Sequence, residues 1–133
     1  MHDRIARSPL HYAALEGNTA KVIELVNSGA DVNAAEVGGY TPLHFASQND
    51  HAAVVKLLLE YGADVDSVDS WGNTPLWRAV FNSKNTGETI LMLRAAGADP
   101  HHLNNAGTSP VQLARKIANY DTAQFFDDVP RPD

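Results

Sequence analysis

A four-residue phrase returns along this chain at a nearly fixed interval. Thr41-Pro42-Leu43-His44 is preceded by Ser8-Pro9-Leu10-His11 and followed by Thr74-Pro75-Leu76-Trp77 and, more loosely, by Ser109-Pro110-Val111-Gln112. Pro9 to Pro42 and Pro42 to Pro75 are each 33 residues, whereas Pro75 to Pro110 is 35. Gly29, Gly62 and Gly97 keep the same intervals, 33 and then 35. Self-similarity at such a period marks a solenoid: each unit is one supersecondary element too small to bury its own apolar face, and stacked neighbours share a continuous core. The two additional residues of the third unit lie between Pro75 and Gly97 and are placed in the polar stretch Asn82–Glu88.

Gly39–Asp66 shows most clearly how a unit folds. Thr41 is a helix N-cap candidate, and Pro42 takes the first helical position, where a missing N–H costs nothing. Leu43 and Ala46 share one face of this first short helix, and Asn49-Asp50 interrupts the pattern. Val54, Val55, Leu57, Leu58 and Leu59 then predict a second, more apolar helix, ended by Gly62 at C′. Ala63 to Gly72 is too polar and turn-rich for helix and predicts an extended or hairpin-like connection to the next Thr-Pro.

Composition narrows the function classes. At 133 residues with 44% hydrophobic content, the chain suits one folded domain. Cysteine is absent, which removes disulfides, thiolate metal sites and a cysteine nucleophile. A net charge of −6 argues against a nucleic-acid partner, because affinity for phosphate backbones rests on clustered Lys and Arg. The same charge favours encounter with a basic protein. No apolar run approaches the roughly 18 residues of a membrane span, and repeat matching from residue 3 leaves no room for a secretion signal, so a soluble cytoplasmic protein is expected.

These units resemble the ankyrin repeat. The family pattern of a glycine-bearing turn, TPLH, two alanine-like positions, a VV-LLL helix and GADVN is matched in Ser8–Asn33 and Gly39–Asp66 almost position by position. The third unit keeps Gly72, Thr74-Pro75-Leu76 and Gly97-Ala98-Asp99 but has Trp77 where histidine is usual. The fourth keeps Asn104, Gly107, Ser109-Pro110, Leu113 and Ala114 and then degenerates, as a terminal capping repeat does. The resemblance implies an all-α ankyrin repeat solenoid of four helix-turn-helix repeats joined by hairpin-like turns. Its repeats are expected at about 3–35, 36–68, 69–103 and 104–128, with a flexible tail over 129–133. Leu113, Ile117, Ala118, Phe125 and Phe126 are expected to seal the stack.

Little in the chain reads as chemistry. His11 and His44 are the TPLH histidines, which in ankyrin folds brace the loops; the adjacent His101-His102 would point apart and lack a third ligand. Asp31, Asp64 and Asp99 recur at one place in each unit, as turn and cap residues do. With no nucleophile motif, phosphate loop or zinc spacing, no enzyme activity, metal or cofactor is expected.

Family members bind proteins on the turns and on the concave face lined by the first helices. Matching places Arg4, Arg7, Val37, Tyr40, Ser70, Trp71 and Asn73 at exposed turn positions. Gln48, Asn49, Phe81 and Asn82 fall on the helical face, and Lys84 in the inserted joint. Tyr40, Trp71 and Phe81 are the expected aromatic anchors, since truncating such anchors typically costs at least about 2 kcal/mol. With one interface and no second domain, the chain is read as a monomer that neutralises a single partner, with a multi-partner adaptor as the alternative. It also resembles the short stand-alone ankyrin proteins of bacteria, many of them immunity partners of secreted toxins, which implies a basic toxin or enzyme as target.

Overall fold

The computed structural model describes residues 6–82, 87–117 and 122–131. Among the described residues seven α-helices follow one another, six of them in pairs: α1 (Pro9–Glu16) with α2 (Thr19–Asn27), α3 (Pro42–Gln48) with α4 (Ala52–Glu60), α5 (Pro75–Phe81) with α6 (Glu88–Ala95), and then α7 (Pro110–Lys116). A five-residue 3₁₀ helix, Thr122–Phe126, stands where α7 would meet a second helix. The helices form two layers. α1, α3, α5 and α7 pack side by side in one row, and α2, α4 and α6 in the other. Among the described residues there is no β-strand.

The repeated Ser/Thr-Pro phrase starts every helix of the first row. Ser8, Thr41, Thr74 and Ser109 each accept the N3 backbone N–H at the side-chain oxygen, and proline follows at N1. The N3 side chain reaches back in three of the four: His11, His44 and Gln112 accept from the N-cap backbone N–H at 3.0, 3.1 and 2.9 Å. Trp77 has no acceptor with which to do so, and α5 lacks the reciprocal bond.

The second-row helices end at their glycines. In α4, Gly62 N–H bonds to the Leu59 carbonyl and Ala63 N–H to the Leu58 carbonyl, the paired pattern of a Schellman end. Gly62 has φ +94° and open space beyond its missing Cβ, so it is required there by backbone conformation alone. Between the layers lie Leu10, Leu43, Leu58, Leu76, Ile90 and Leu93, all fully buried. Ala14, Ala46, Ala79 and Ala114 allow the first-row helices to approach.

Part of the C-terminal segment packs on the last unit. Val129 is buried, and its carbonyl accepts from Arg115 Nη2 at 2.6 Å. Arg94 donates to the Phe125 carbonyl at 3.0 Å and to the Asp128 carboxylate at 2.8 Å, with its guanidinium 5.2 Å from the Phe126 ring centroid. Phe126 is fully buried, Phe125, Leu113 and Ile117 are partly so, and Ala118 lies outside the described residues. Asp128 and Val129 therefore pack against the end of the stack, Val129 because it has apolar surface to bury.

Candidate protein-binding face

One edge of the molecule is a row of three linked turns, 36–40, 69–73 and 104–108. Each closes with the first residue's N–H on the last residue's carbonyl, Glu36 on Tyr40, Asp69 on Asn73 and Asn104 on Thr108. The same first residue folds its side chain inward: Asp69 Oδ1 accepts the N–H groups of Trp71 and Asn73 at 2.9 and 3.0 Å, Glu36 accepts those of Gly38 and Tyr40, and Asn104 those of Ala106 and Thr108. Successive turns are bonded to each other, Ser70 N–H to the Gly38 carbonyl and Asn105 N–H to the Trp71 carbonyl, both at 2.9 Å. That approach needs glycine: a Cβ on Gly39, at φ +81°, would lie 2.9 Å from Asp69 Cα.

The repeat histidines tie this row to the helices. His11 Nε2 donates to the Tyr40 carbonyl at 2.9 Å, and His44 Nε2 to the Asn73 carbonyl at 2.8 Å, while each Nδ1 accepts from its N-cap backbone. This arrangement uses the neutral imidazole. Burial holds both side chains below the ordinary histidine pKa, outweighing the carbonyl hydrogen bonds that act the other way. Trp77 breaks the series: its indole N–H is buried without a partner among the described residues.

Between the turns and the first-row helices runs an alternation of rings and guanidinium groups. Tyr12, Phe45 and Arg78 occupy the same place in α1, α3 and α5, three residues after the proline. Arg7 lies 4.7 Å above the Phe45 ring centroid, and Tyr40 stacks on Phe45 at 5.3 Å. Arg78 sits 4.9, 5.8 and 5.5 Å from the rings of Tyr40, Trp71 and Trp77, and Trp77 stacks on Phe81 at 5.2 Å. Such contacts contribute on the order of 0.5–2 kcal/mol each.

Arg78 is the centre of this face. Its Nε and Nη2 donate to Asp69 Oδ2 at 3.1 and 3.0 Å, and Nη2 also donates to the Tyr40 hydroxyl at 2.6 Å. Burial raises the Tyr40 phenol above its usual pKa although Arg78 opposes the shift, so the hydroxyl is a neutral acceptor. Arg7 Nε stands 4.0 Å from Glu36, a looser counterpart of the 3.0 Å Arg78–Asp69 pair, so each of the two cations faces an anion that also holds a turn. Among the described residues the face is consequently aromatic, its two cations each set against an anion of the turns.

The expected site residues divide clearly. Val37, Ser70, Trp71, Asn49 and Phe81 are exposed, with Trp71 and Phe81 each presenting 55% of their surface. Arg7, Tyr40, Gln48 and Asn82 are half-buried, and Tyr40 is clamped by Phe45, Trp71 and Arg78 rather than presented. Asn73 was expected at an exposed turn position and is instead buried, because its side-chain oxygen accepts from Asn104 Nδ2 at 2.8 Å inside the turn row. Arg4 and Lys84, and the inserted joint from 83 to 86, lie outside the described residues. Gln48, Asn49 and Asn82 come together with Asp50 and His51 around a groove of about 370 Å³ at the far end of this face.

Residue-by-residue reading missed Arg78, Asp69 and Glu36. A signal existed: Arg78 falls in register with Tyr12 and Phe45, and Glu36, Asp69 and Asn104 share one register at the start of each turn.

Among the described residues no group of three His, Asp or Glu side chains is placed to hold a metal ion. No described helix is long and apolar enough to cross a membrane. Asp31, Asp64 and Asp99 each accept the backbone N–H two residues on, at 2.9, 3.0 and 2.8 Å, which accounts for their recurrence.

In comparisons with known proteins, the family model for ankyrin repeats in three copies matches residues 10–104, and no curated protein matches the chain. Two layers of short capped helices, a hydrogen-bonded row of turns and this match together place the chain in the ankyrin repeat family, as a protein–protein interaction module.

Proposed function

We propose that this chain binds and neutralises one partner protein, as an immunity-type inhibitor acting in the cytoplasm of the bacterium that makes it. The observation that carries the reading is the pair of exposed aromatics, Trp71 and Phe81, at either end of a face whose interior is already locked by Arg78. Large rigid side chains on a preorganised support lose little entropy on binding, and buried aromatics dominate interface energetics. A partner seated across the turns and first-row helices covers both rings at once, and occlusion of the partner's own working surface is then steric. The net charge of −6 suits a basic toxin or enzyme and speeds its encounter.

The test is affinity capture from lysate of the source cells with the wild-type chain and a Trp71→Ala/Phe81→Ala variant, read by mass spectrometry. One stoichiometric protein, lost in the variant and toxic when expressed without the chain, is the expected result. Several substoichiometric proteins, or capture indifferent to both substitutions, would contradict a dedicated inhibitor using this face.

A further inference from the structure

We propose that the cavity at the C-terminal end of the stack is a receptor for the last residue of another polypeptide, one that carries a free carboxylate and an apolar side chain on the same carbon. The site is separate from the Trp71–Phe81 face and needs nothing of the function proposed above. Its volume is about 410 Å³, in the range of pockets that hold small ligands. Leu103, Val111 and Pro130 give it apolar walls, and Gln112, Arg115 and Arg131 bring hydrogen-bond donors to it.

The repeat register shows what this end is shaped to receive. In α1 and α3 the N3 histidine accepts from its own N-cap with one ring nitrogen. With the other it donates to a backbone carbonyl of the next turn, that of Tyr40 or Asn73, at 2.9 and 2.8 Å. Gln112 holds the same position in α7. Its Oε1 accepts from the Ser109 N–H at 2.9 Å, so its NH₂ is the counterpart of the histidine Nε2. Among the described residues the row of turns ends at 104–108, and no following turn takes this donor. His101, also on the lining, repeats the register of Asn33 and Asp66. Those two side chains accept the backbone N–H of Asp64 and Asp99 in the following unit, at 2.7 and 3.0 Å. The cavity therefore lies where the backbone of a following unit would run, and polypeptide backbone is the matching occupant.

The charges select the end of a chain rather than its middle. Arg115 donates from Nη2 to the Val129 carbonyl at 2.6 Å, which fixes its half-buried guanidinium against the packed C-terminal segment and leaves it further donors. Arg131 is exposed, and among the described residues neither guanidinium is paired with a carboxylate. A guanidinium only donates, and its forked N–H groups match the two oxygens of a carboxylate. A terminal residue presents that carboxylate and its side chain from one carbon. The carboxylate then meets Gln112 and the two arginines while the side chain lies against Leu103 and Val111. An internal acidic residue offers the charge without the apolar group beside it.

The side-chain NH₂ of Gln112 and the Nε–H of Arg115 are followed by NMR while N-acetyl-leucine is titrated into the full chain. N-acetyl-leucine amide, which keeps the side chain and loses the charge, and N-acetyl-aspartic acid α-amide, which keeps a carboxylate without the apolar group, are the comparisons. Saturable shifts with N-acetyl-leucine are expected, with a Kd on the order of millimolar, and none with the leucine amide. Gln112→Glu keeps an oxygen for the Ser109 N–H, as in a capping box, and sets a carboxylate against that of the ligand. It should abolish the shifts at Arg115 while circular dichroism stays unchanged. Arg131→Gln should weaken binding about threefold or more. No saturable shift, equal shifts with the two leucine compounds, or binding indifferent to Gln112→Glu would overturn the proposal. Equal binding of the aspartic acid amide would assign the cations to acidic side chains and overturn it too, as would binding seen only in Asp133→Asn, which would assign them to Asp133.

Discussion

Replacing Arg78 with methionine keeps an unbranched side chain among the rings of Tyr40, Trp71 and Trp77 and deletes only the guanidinium. Its partner Asp69 has a side chain with no exposed surface, and Arg78 itself is 14% exposed. Without Arg78, Asp69 Oδ2 loses both of its donors, and a carboxylate is left buried with only the two turn N–H groups on Oδ1. Breaking a buried ion pair from one side typically costs about 3–5 kcal/mol, and the two surviving bonds place this site near 3 kcal/mol. For a domain of this size that is a fall of roughly 10 °C in midpoint. The assay is a double-mutant cycle. Asp69→Asn keeps an oxygen for the turn N–H groups while removing the charge, so Arg78→Met/Asp69→Asn is expected to be more stable than Arg78→Met alone, with a coupling of about 2 kcal/mol. Urea unfolding is best followed by far-ultraviolet circular dichroism, because both tryptophans touch the mutated residue and fluorescence would report the local change. A loss below about 1 kcal/mol in Arg78→Met, or additive behaviour in the cycle, would refute the view that this pair holds the face together.

Three further outcomes follow from the same geometry. Because burial lowers the folded pKa of His11 and His44, the unfolded chain binds protons that the folded chain refuses; stability is full above about pH 6.5 and declines as pH falls through that value, by up to about 1.4 kcal/mol per unit for each histidine until its folded pKa is reached. His44→Gln, which puts at N3 the residue already serving there in α7, should remove roughly half of that slope in urea titrations, and an unchanged slope would contradict the neutral-imidazole bridge. Gly62→Ala should cost about 1–2 kcal/mol from backbone strain alone, and Gly39→Ala a further 1–3 kcal/mol or so from overpacking against Asp69; equal losses would argue against contact between the turns. Val129→Asp should lower stability by about 2 kcal/mol or more, and a neutral effect would favour the flexible tail expected from the sequence.

Much of the fold was legible because repetition multiplies weak local signals. One Thr-Pro or one Gly-Ala-Asp says little, but the same phrase at a constant interval fixes caps, helix ends and the face each helix buries, and the N-caps and Schellman glycines stand where the phrase puts them. The side-chain roles within a turn were less legible, because each depends on which neighbour reaches it. Asn73 shares its register with Arg7 and Tyr40, and only the amide of Asn104 draws it inward. Arg78 carries no signal of its own in a short helix, because its role depends on Asp69, nine residues earlier, folding its carboxylate beneath it. Val129 falls within the expected tail, and its burial depends on the surface that Phe126 and its neighbours offer, which the local sequence does not show.

The central claim is that Trp71 and Phe81 are presented for binding while the residues beneath them maintain the fold. It is tested most directly by measuring, for Trp71→Ala and Phe81→Ala separately, both the thermal midpoint and the affinity for the captured partner. The account predicts midpoints within a few degrees of wild type and affinities lower by about thirtyfold or more, corresponding to hot-spot losses of at least about 2 kcal/mol. Large drops in midpoint with unchanged affinity would place these rings in the scaffold and move the binding face elsewhere.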